Sequence, residues 1–233
     1  MAIFQYDPAI WPRFPLLSSG VILAEGVQNR PTPPEALALY QAEQAAVRAR
    51  LGDSPLSEVP SLAGWRAAFR QFNVEPTKYR SAAEALLRRL TKSGDIPSLN
   101  LLVDLGNLVS IRHALPVAVL DTAGWQAPLT VQFAKGDEVF VPLGQPEPEN
   151  PEPGEVIFAD EAKAVMARRW CWRQSDPSAA RESSTHVLIT IEAQHEAGPA
   201  AVDAALQNLV GLLAQFGGGQ LRTARLTPAN PAI

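Results

Sequence analysis

The sequence predicts an α+β fold, a central mixed or antiparallel sheet flanked by helices. Three observations carry it. Apolar residues recur at helical spacing in four segments before Leu115, short β-favouring runs separated by Gly, Pro and Asp follow Pro116, and a last helical segment stops at Gly217-Gly218-Gly219. Helices grouped ahead of strands argue against regular βαβ alternation. With 233 residues and 46% apolar content, the chain can bury a stable interior as one large domain. We divide it into an N-terminal strand and helix over 1–59, packing on a core over 60–233, together one compact unit.

The elements follow in order. Loose alternation of apolar positions from Leu16 to Val27 predicts an early strand. Thr32-Pro33-Pro34-Glu35 then offers an N-cap, early prolines and a capping-box Glu. Leu37, Tyr40, Gln44, Val47 and Leu51 continue at spacings of 3, 4, 3 and 4, and Gly52 stands where a C-terminal cap belongs. Leu62, Trp65, Phe69 and Phe72 mark a second helix with Arg66 and Arg70 on other faces. Ser81-Ala82-Ala83-Glu84 is a further capping box, followed by Leu86, Leu87 and Leu90 before Gly94. Pro97-Ser98 opens a fourth helix with Leu101, Leu105 and Leu108 on one side.

Strands are predicted at Val117 to Leu120, Leu129 to Phe133, Glu138 to Val141, Val156 to Phe158 and Val187 to Ile191. Between Gly144 and Gly154 the Pro- and Glu-rich stretch carries three carboxylates and is expected to be extended, as a solvated hairpin loop or as a lid or docking segment. Val202, Leu206, Leu209, Leu213 and Phe216 define the last helix, and Leu221 to Leu226 a terminal strand that rejoins the sheet.

Several kinds of chemistry are excluded. Cys171 is the only cysteine, so the chain forms no intrachain disulfide and no four-cysteine zinc site. His113, His186 and His195 are scattered without metal-ligand spacing, and neither phosphate-loop nor dinucleotide glycine patterns occur, so no metal and no cofactor is expected. No Gly-x-Ser-x-Gly elbow is present to place an activated serine, although the sequence leaves a serine-histidine-acid triad open. The N-terminus lacks a basic start before an apolar core and no stretch approaches the roughly 20 apolar residues that cross a bilayer, so a cytoplasmic location away from membranes is expected. With 20 Lys and Arg against 24 Asp and Glu the net charge is −4, so any contact with nucleic acid must be local.

Three constellations are candidates for binding. Asp104 and Asn107 stand at i, i+3 on one helical face, either tying the helix to a loop or lining a pocket. Lys78 and Arg80 precede the helix N-terminus at Ser81, where free amides favour anions. Arg168-Arg169-Trp170-Cys171-Trp172-Arg173 interleaves cations with indoles; as a strand it would set Arg169, Cys171 and Arg173 opposite Trp170 and Trp172. Cys171 is either a buried thiol or a nucleophile with a base such as His186.

These segments carry a resemblance. Val103-Asp104-Leu105-Gly106-Asn107, Leu115-Pro116, Asp121, Pro153-Gly154-Glu155 and Arg169 to Arg173 together resemble the tRNA-binding editing domain of the bacterial phenylalanyl-tRNA synthetase β subunit, from about Trp65 to Glu192 and here as a chain of its own. The resemblance implies a cleft between the sheet and the helix bearing Asp104 and Asn107. It implies a partner, the aminoacylated end of tRNA, and an activity, hydrolysis of a mischarged ester in trans. Asn107 and Thr190 are then expected at the reacting group, Asp104, Trp172, Arg173 and His186 around the substrate, and Lys78, Arg80 and Arg169 on the tRNA.

The chain departs from the family in three places. The family's histidine is Ala118, its glycine-rich stretch that shapes a tyrosine pocket is replaced by Arg169 to Arg173, and its pocket glutamate is Thr190, with Glu192 an acidic neighbour on the same strand face. These departures weigh against a tyrosine pocket. The lost histidine and the net acidity favour an alternative, a non-catalytic module holding an amino acid or related small molecule. A third reading is an interaction module that uses the Pro/Glu stretch. Oligomeric state is left open by the sequence.

Overall fold

The computed structural model describes residues 2–145 and 147–233; Met1 of the predicted N-terminal segment and Pro146 of the Pro/Glu stretch lie outside the described residues. In chain order the elements are β1 (Phe4–Tyr6), α1 (Ile10–Arg13), β2 (Leu17–Glu25), α2 (Pro34–Leu51), α3 (Pro60–Gln71), α4 (Ala82–Ser93) and α5 (Leu101–His113). Then follow β3 (Val117–Asp121), β4 (Leu129–Phe133), β5 (Val139–Phe140), β6 (Val156–Ala159), β7 (Ala164–Arg168), β8 (Arg173–Gln174), β9 (His186–Gln194), α6 (Gly198–Leu212) and β10 (Gln220–Leu226). This is the expected mixture of helices and mixed sheet.

The strands divide between two sheets. A four-stranded antiparallel sheet has the order β10-β2-β9-β3, and a six-stranded mixed sheet the order β1-β4-β6-β7-β5 with β8 on β7. Side chains alternate across a strand, and β9 uses both of its faces. Val187, Ile189 and Ile191 join an aliphatic core with α2, α4, α5 and α6, while Leu188 joins an aromatic core shared with the six-stranded sheet and α3. Thr190 and Glu192 follow Leu188 at steps of two and therefore face the space between the sheets.

Two glycines let helices press onto this frame. A Cβ on Gly64 of α3 would lie 2.1 Å from the Gln194 carbonyl oxygen at the end of β9, so only glycine fits there. A Cβ on Gly106 of α5 would meet Val119 at 3.0 Å, which sets α5 close against β3. The first contact brings Trp65 edge-on to Trp170, with ring centroids 5.2 Å apart.

Four local expectations are corrected. The helix expected from Pro97-Ser98 opens at Leu101, because Asn100 caps it by accepting from Val103 N at 3.2 Å while the Ser98 hydroxyl turns to Asp104. Thr32 does not cap α2; its hydroxyl donates to Asp104 Oδ2 at 2.6 Å and Pro33 takes the cap position. The segment 168–173 is not one strand: β7 ends at Arg168, and Arg169 and Trp170 adopt φ of +44° and +61° before β8 resumes. The turn separates the two indoles that a strand would have set on one face, so Trp170 is fully buried and Trp172 only partly. Finally, β1 and β7 were not anticipated; β1 is too short to show periodicity, and β7 is apolar on both faces and so lacks alternation.

Candidate functional site

A partly open cavity of about 70 Å3 lies between the sheets. Leu120, Phe158, Ala118, Ala167 and Trp170 make its walls largely apolar, and Thr190 and Glu192 supply polar groups. Trp170 Nε1 donates to Glu192 Oε1 at 2.8 Å and the Tyr6 hydroxyl donates to the same oxygen at 2.5 Å. Oε2 and the Thr190 hydroxyl have no hydrogen-bond partner among the described residues, although Thr190 is 1% and Glu192 2% exposed. No cation accompanies this carboxyl, so burial pushes its pKa up from 4.5 to about 7. Burial, then the proximity of Glu192, holds the Cys171 thiol well above its usual range. The residue keeps some exposure, but the thiol itself is enclosed, and a thiolate nucleophile is not supplied at neutral pH.

A second hollow of about 290 Å3 lies on the helix side of the edge strand β3, lined by Ala85, Leu86, Val103, Asn107, Val119 and others. The two share Ala82, Val117, Trp172 and Gln174 as a common rim. Asn107 and Thr190, expected to meet, line different hollows: Thr190 pairs with Ala118 on the sheet side, whereas Asn107 belongs to the side that Val117 and Val119 turn toward α5. The sequence pattern put both on the substrate but could not show that β3 passes between them.

Trp172 lines both hollows and also a basin of about 510 Å3 bordered by Lys78, Arg80, Arg88, Arg89, Lys92 and Arg173. No carboxylate lines this basin, so an acidic protein carries one concentrated positive surface beside the rim. Tyr79 packs edge-on to Trp172 at 4.9 Å, and Arg173 lies 4.6 Å over the Trp172 ring. Lys78 sits 5.1 Å from the Tyr79 centroid, and Arg80 is 3.8 Å from Glu84.

Other expected site residues are used elsewhere. Asp104 is buried and accepts from Thr32, Ser98 and the Leu99 amide, tying α5 to the preceding loop rather than facing a guest. His186 lies at the opposite end of β9 from Glu192, roughly 20 Å away at the rise of a strand, bonded to Thr185 and facing another hollow. Arg169 is buried between the Tyr79 and Trp172 rings, at 3.9 and 4.6 Å, and 3.8 Å from Glu155, so its guanidinium is not open to phosphate. The N-terminal amides of α4 are also committed: Ala82 N donates to Cys171 O at 2.7 Å and Glu84 N to Ser81 Oγ. The Pro/Glu stretch is anchored through Glu149, which pairs with Arg168 at 2.6 Å, and through Asn150, which donates to Glu138 O.

Arg88, Arg89 and Lys92 had a signal that the sequence reading left unused. With Leu87 and Leu90 facing inward, those cations fall on the outer face of α4, and no acid follows Glu84 within the helix. The Tyr6 contact had none, since it joins residues 186 positions apart.

Comparison with known proteins agrees with the architecture. A family model described as the B3/4 domain matches residues 64–218. Among solved structures the chain is similar to an N-terminal fragment of the phenylalanyl-tRNA synthetase beta-subunit from Pyrococcus horikoshii, with 12% identity and a TM-score of 0.50. The match covers 97% of this chain and 54% of that one, so the chain spans about half the fragment's length. At that identity the likeness is one of fold. No curated protein sequence matches the chain, and no helix among the described residues is long and apolar enough to cross a membrane.

Proposed function

Since the chain belongs to the B3/4 domain family, we propose that it docks the aminoacylated end of a tRNA and hydrolyses a mischarged ester in trans. The observation that carries this reading is the adjacency of the basin to the two hollows, all three lined by Trp172, with Arg173 lining the basin and the inner cavity. Six cations beside an aromatic wall suit a phosphate backbone that ends in a stacked base. The fold shared with a phenylalanyl-tRNA synthetase beta fragment supports a function related to tRNA synthetases.

The chemistry asks little of the protein. Water adds to the acyl carbon, the bond to the ribose oxygen breaks, and the proton ends on that oxygen, leaving a free amino acid and an uncharged tRNA. An aminoacyl ester is labile, so holding it beside a water supplies much of the required rate. Purified protein incubated with a panel of mischarged tRNAs is expected to release amino acid faster than buffer does, with binding that weakens as salt rises. Release at the buffer rate across the panel overturns the reading.

The non-catalytic alternative has one observation in its favour: Asn107 and Thr190 line separate hollows. Calorimetry would support it by giving salt-insensitive binding of a free amino acid and none of tRNA.

A further inference from the structure

The inner cavity carries a specificity of its own. A cavity that admits benzene measures on the order of 150 Å3; at about 70 Å3 this one accepts a branch of a few non-hydrogen atoms and excludes an aromatic ring. Its walls are mostly apolar, yet Glu192 and Thr190, 2% and 1% exposed, also line it, and neither Glu192 Oε2 nor the Thr190 hydroxyl makes a hydrogen bond among the described residues. A guest that fills the cavity shields these groups from water, so the guest that fits best brings a hydrogen-bond donor to them. The long arms of Lys and Arg exceed the space.

We propose that this cavity selects a short hydroxyl-bearing acyl side chain, of serine or threonine size, with Glu192 Oε2 accepting from the guest hydroxyl and the Thr190 hydroxyl completing the pair. The aminoacyl nature of the guest rests on the deacylase reading; the size and the hydroxyl do not. A site built to bond a substrate hydroxyl rejects the analogue lacking it far better than an apolar pocket separates two sizes. Tyrosine and phenylalanine are excluded by volume, alanine and valine by the polar groups they leave unpaired.

The test uses adenosines carrying a 3′-amide-linked seryl, threonyl, alanyl, valyl or phenylalanyl group, which bind without hydrolysis. Calorimetry on the full chain is expected to give seryl and threonyl amides at least tenfold tighter binding than alanyl and valyl, with the phenylalanyl amide weakest. In Thr190→Val, a change of similar shape that removes only the hydroxyl, the seryl-to-alanyl ratio is expected to fall below threefold with alanyl affinity kept. Equal affinities in the native protein, or no binding of any amide, overturn the proposal, whatever Thr190→Val does. Hydrolysis of the matching esters, measured in parallel, reports on the deacylase reading alone; a hydroxyl preference without hydrolysis leaves the cavity assignment standing and sinks the reaction.

Discussion

Two pairs of neighbouring arginines show how one residue type takes two roles. Arg168-Arg169 is buried: Arg168 makes a two-point pair with Glu155 at 3.0 and 2.9 Å, and Arg169 is sandwiched between Tyr79 and Trp172. Arg88-Arg89 is exposed on α4, beside a concave surface with no acid. In the first pair the charges are spent inside the molecule, fixing the turn that aims Trp170 at Glu192. In the second they are free for a partner. Arginine count and sequence spacing are alike, so the location of the nearest carboxylate decides the role.

The largest effect expected from this contrast is on stability. Arg168→Ala leaves buried Glu155 with only the more distant Arg169 guanidinium at 3.8 Å, and losing the two-point pair costs up to roughly 3–5 kcal/mol. Urea denaturation should register it as a lower midpoint. A stability within about 1 kcal/mol of the native protein would show that the pair does not hold the turn.

Two carboxyls sharpen the comparison next. Glu155 has Arg168, whereas Glu192 has only the neutral donors Tyr6 and Trp170, with the Cys171 thiol nearby. An unfolded glutamate titrates near 4.5 and the folded Glu192 at about 7. Between those values the native state keeps a proton that the unfolded chain has released. Stability is therefore highest below the lower pKa and falls as pH rises through the upper one, by about 3 kcal/mol in all. Glu192→Gln retains an acceptor for Tyr6 and Trp170 and should flatten this contribution between about pH 4.5 and 7, as read from the difference between the two denaturation profiles. Parallel profiles would place the titration of Glu192 outside that range.

The smallest stability effect belongs to the exposed pair. Arg88→Ala with Arg89→Ala should change folding stability by less than about 0.5 kcal/mol for each substitution. On the deacylase reading the same variant should lower the slope of log affinity for tRNA against log salt by roughly 2, one for each phosphate contact removed. An unchanged slope would move the tRNA contact off the basin.

Most of the architecture was legible because its signals are local. Capping at Ser81, the heptad-like spacing through α2 and α6, and the Leu129 to Phe133 run each lie within a few turns or a few residues of chain. The match over 64–218 spans the whole region, about Trp65 to Glu192, that carries the motif resemblance. Where local reading failed, a distant group had intervened. Thr32 and Ser98 look like helix starts in isolation, but Asp104 binds both hydroxyls. Arg169 looks like a phosphate ligand until Glu155, Tyr79 and Trp172 close around it.

The sequence by itself determined the helices, most strands and the α+β class, since propensity, periodicity and composition act over short spans of chain. Only the tertiary structure decided the site. It set β3 between Asn107 and Thr190, joined Tyr6 to Glu192 across 186 positions, and gathered Lys78, Arg88, Arg89, Lys92 and Arg173 around one basin. Burial and electrostatic pairing depend on distance in space, and that distance exists only once the sheets have closed on each other.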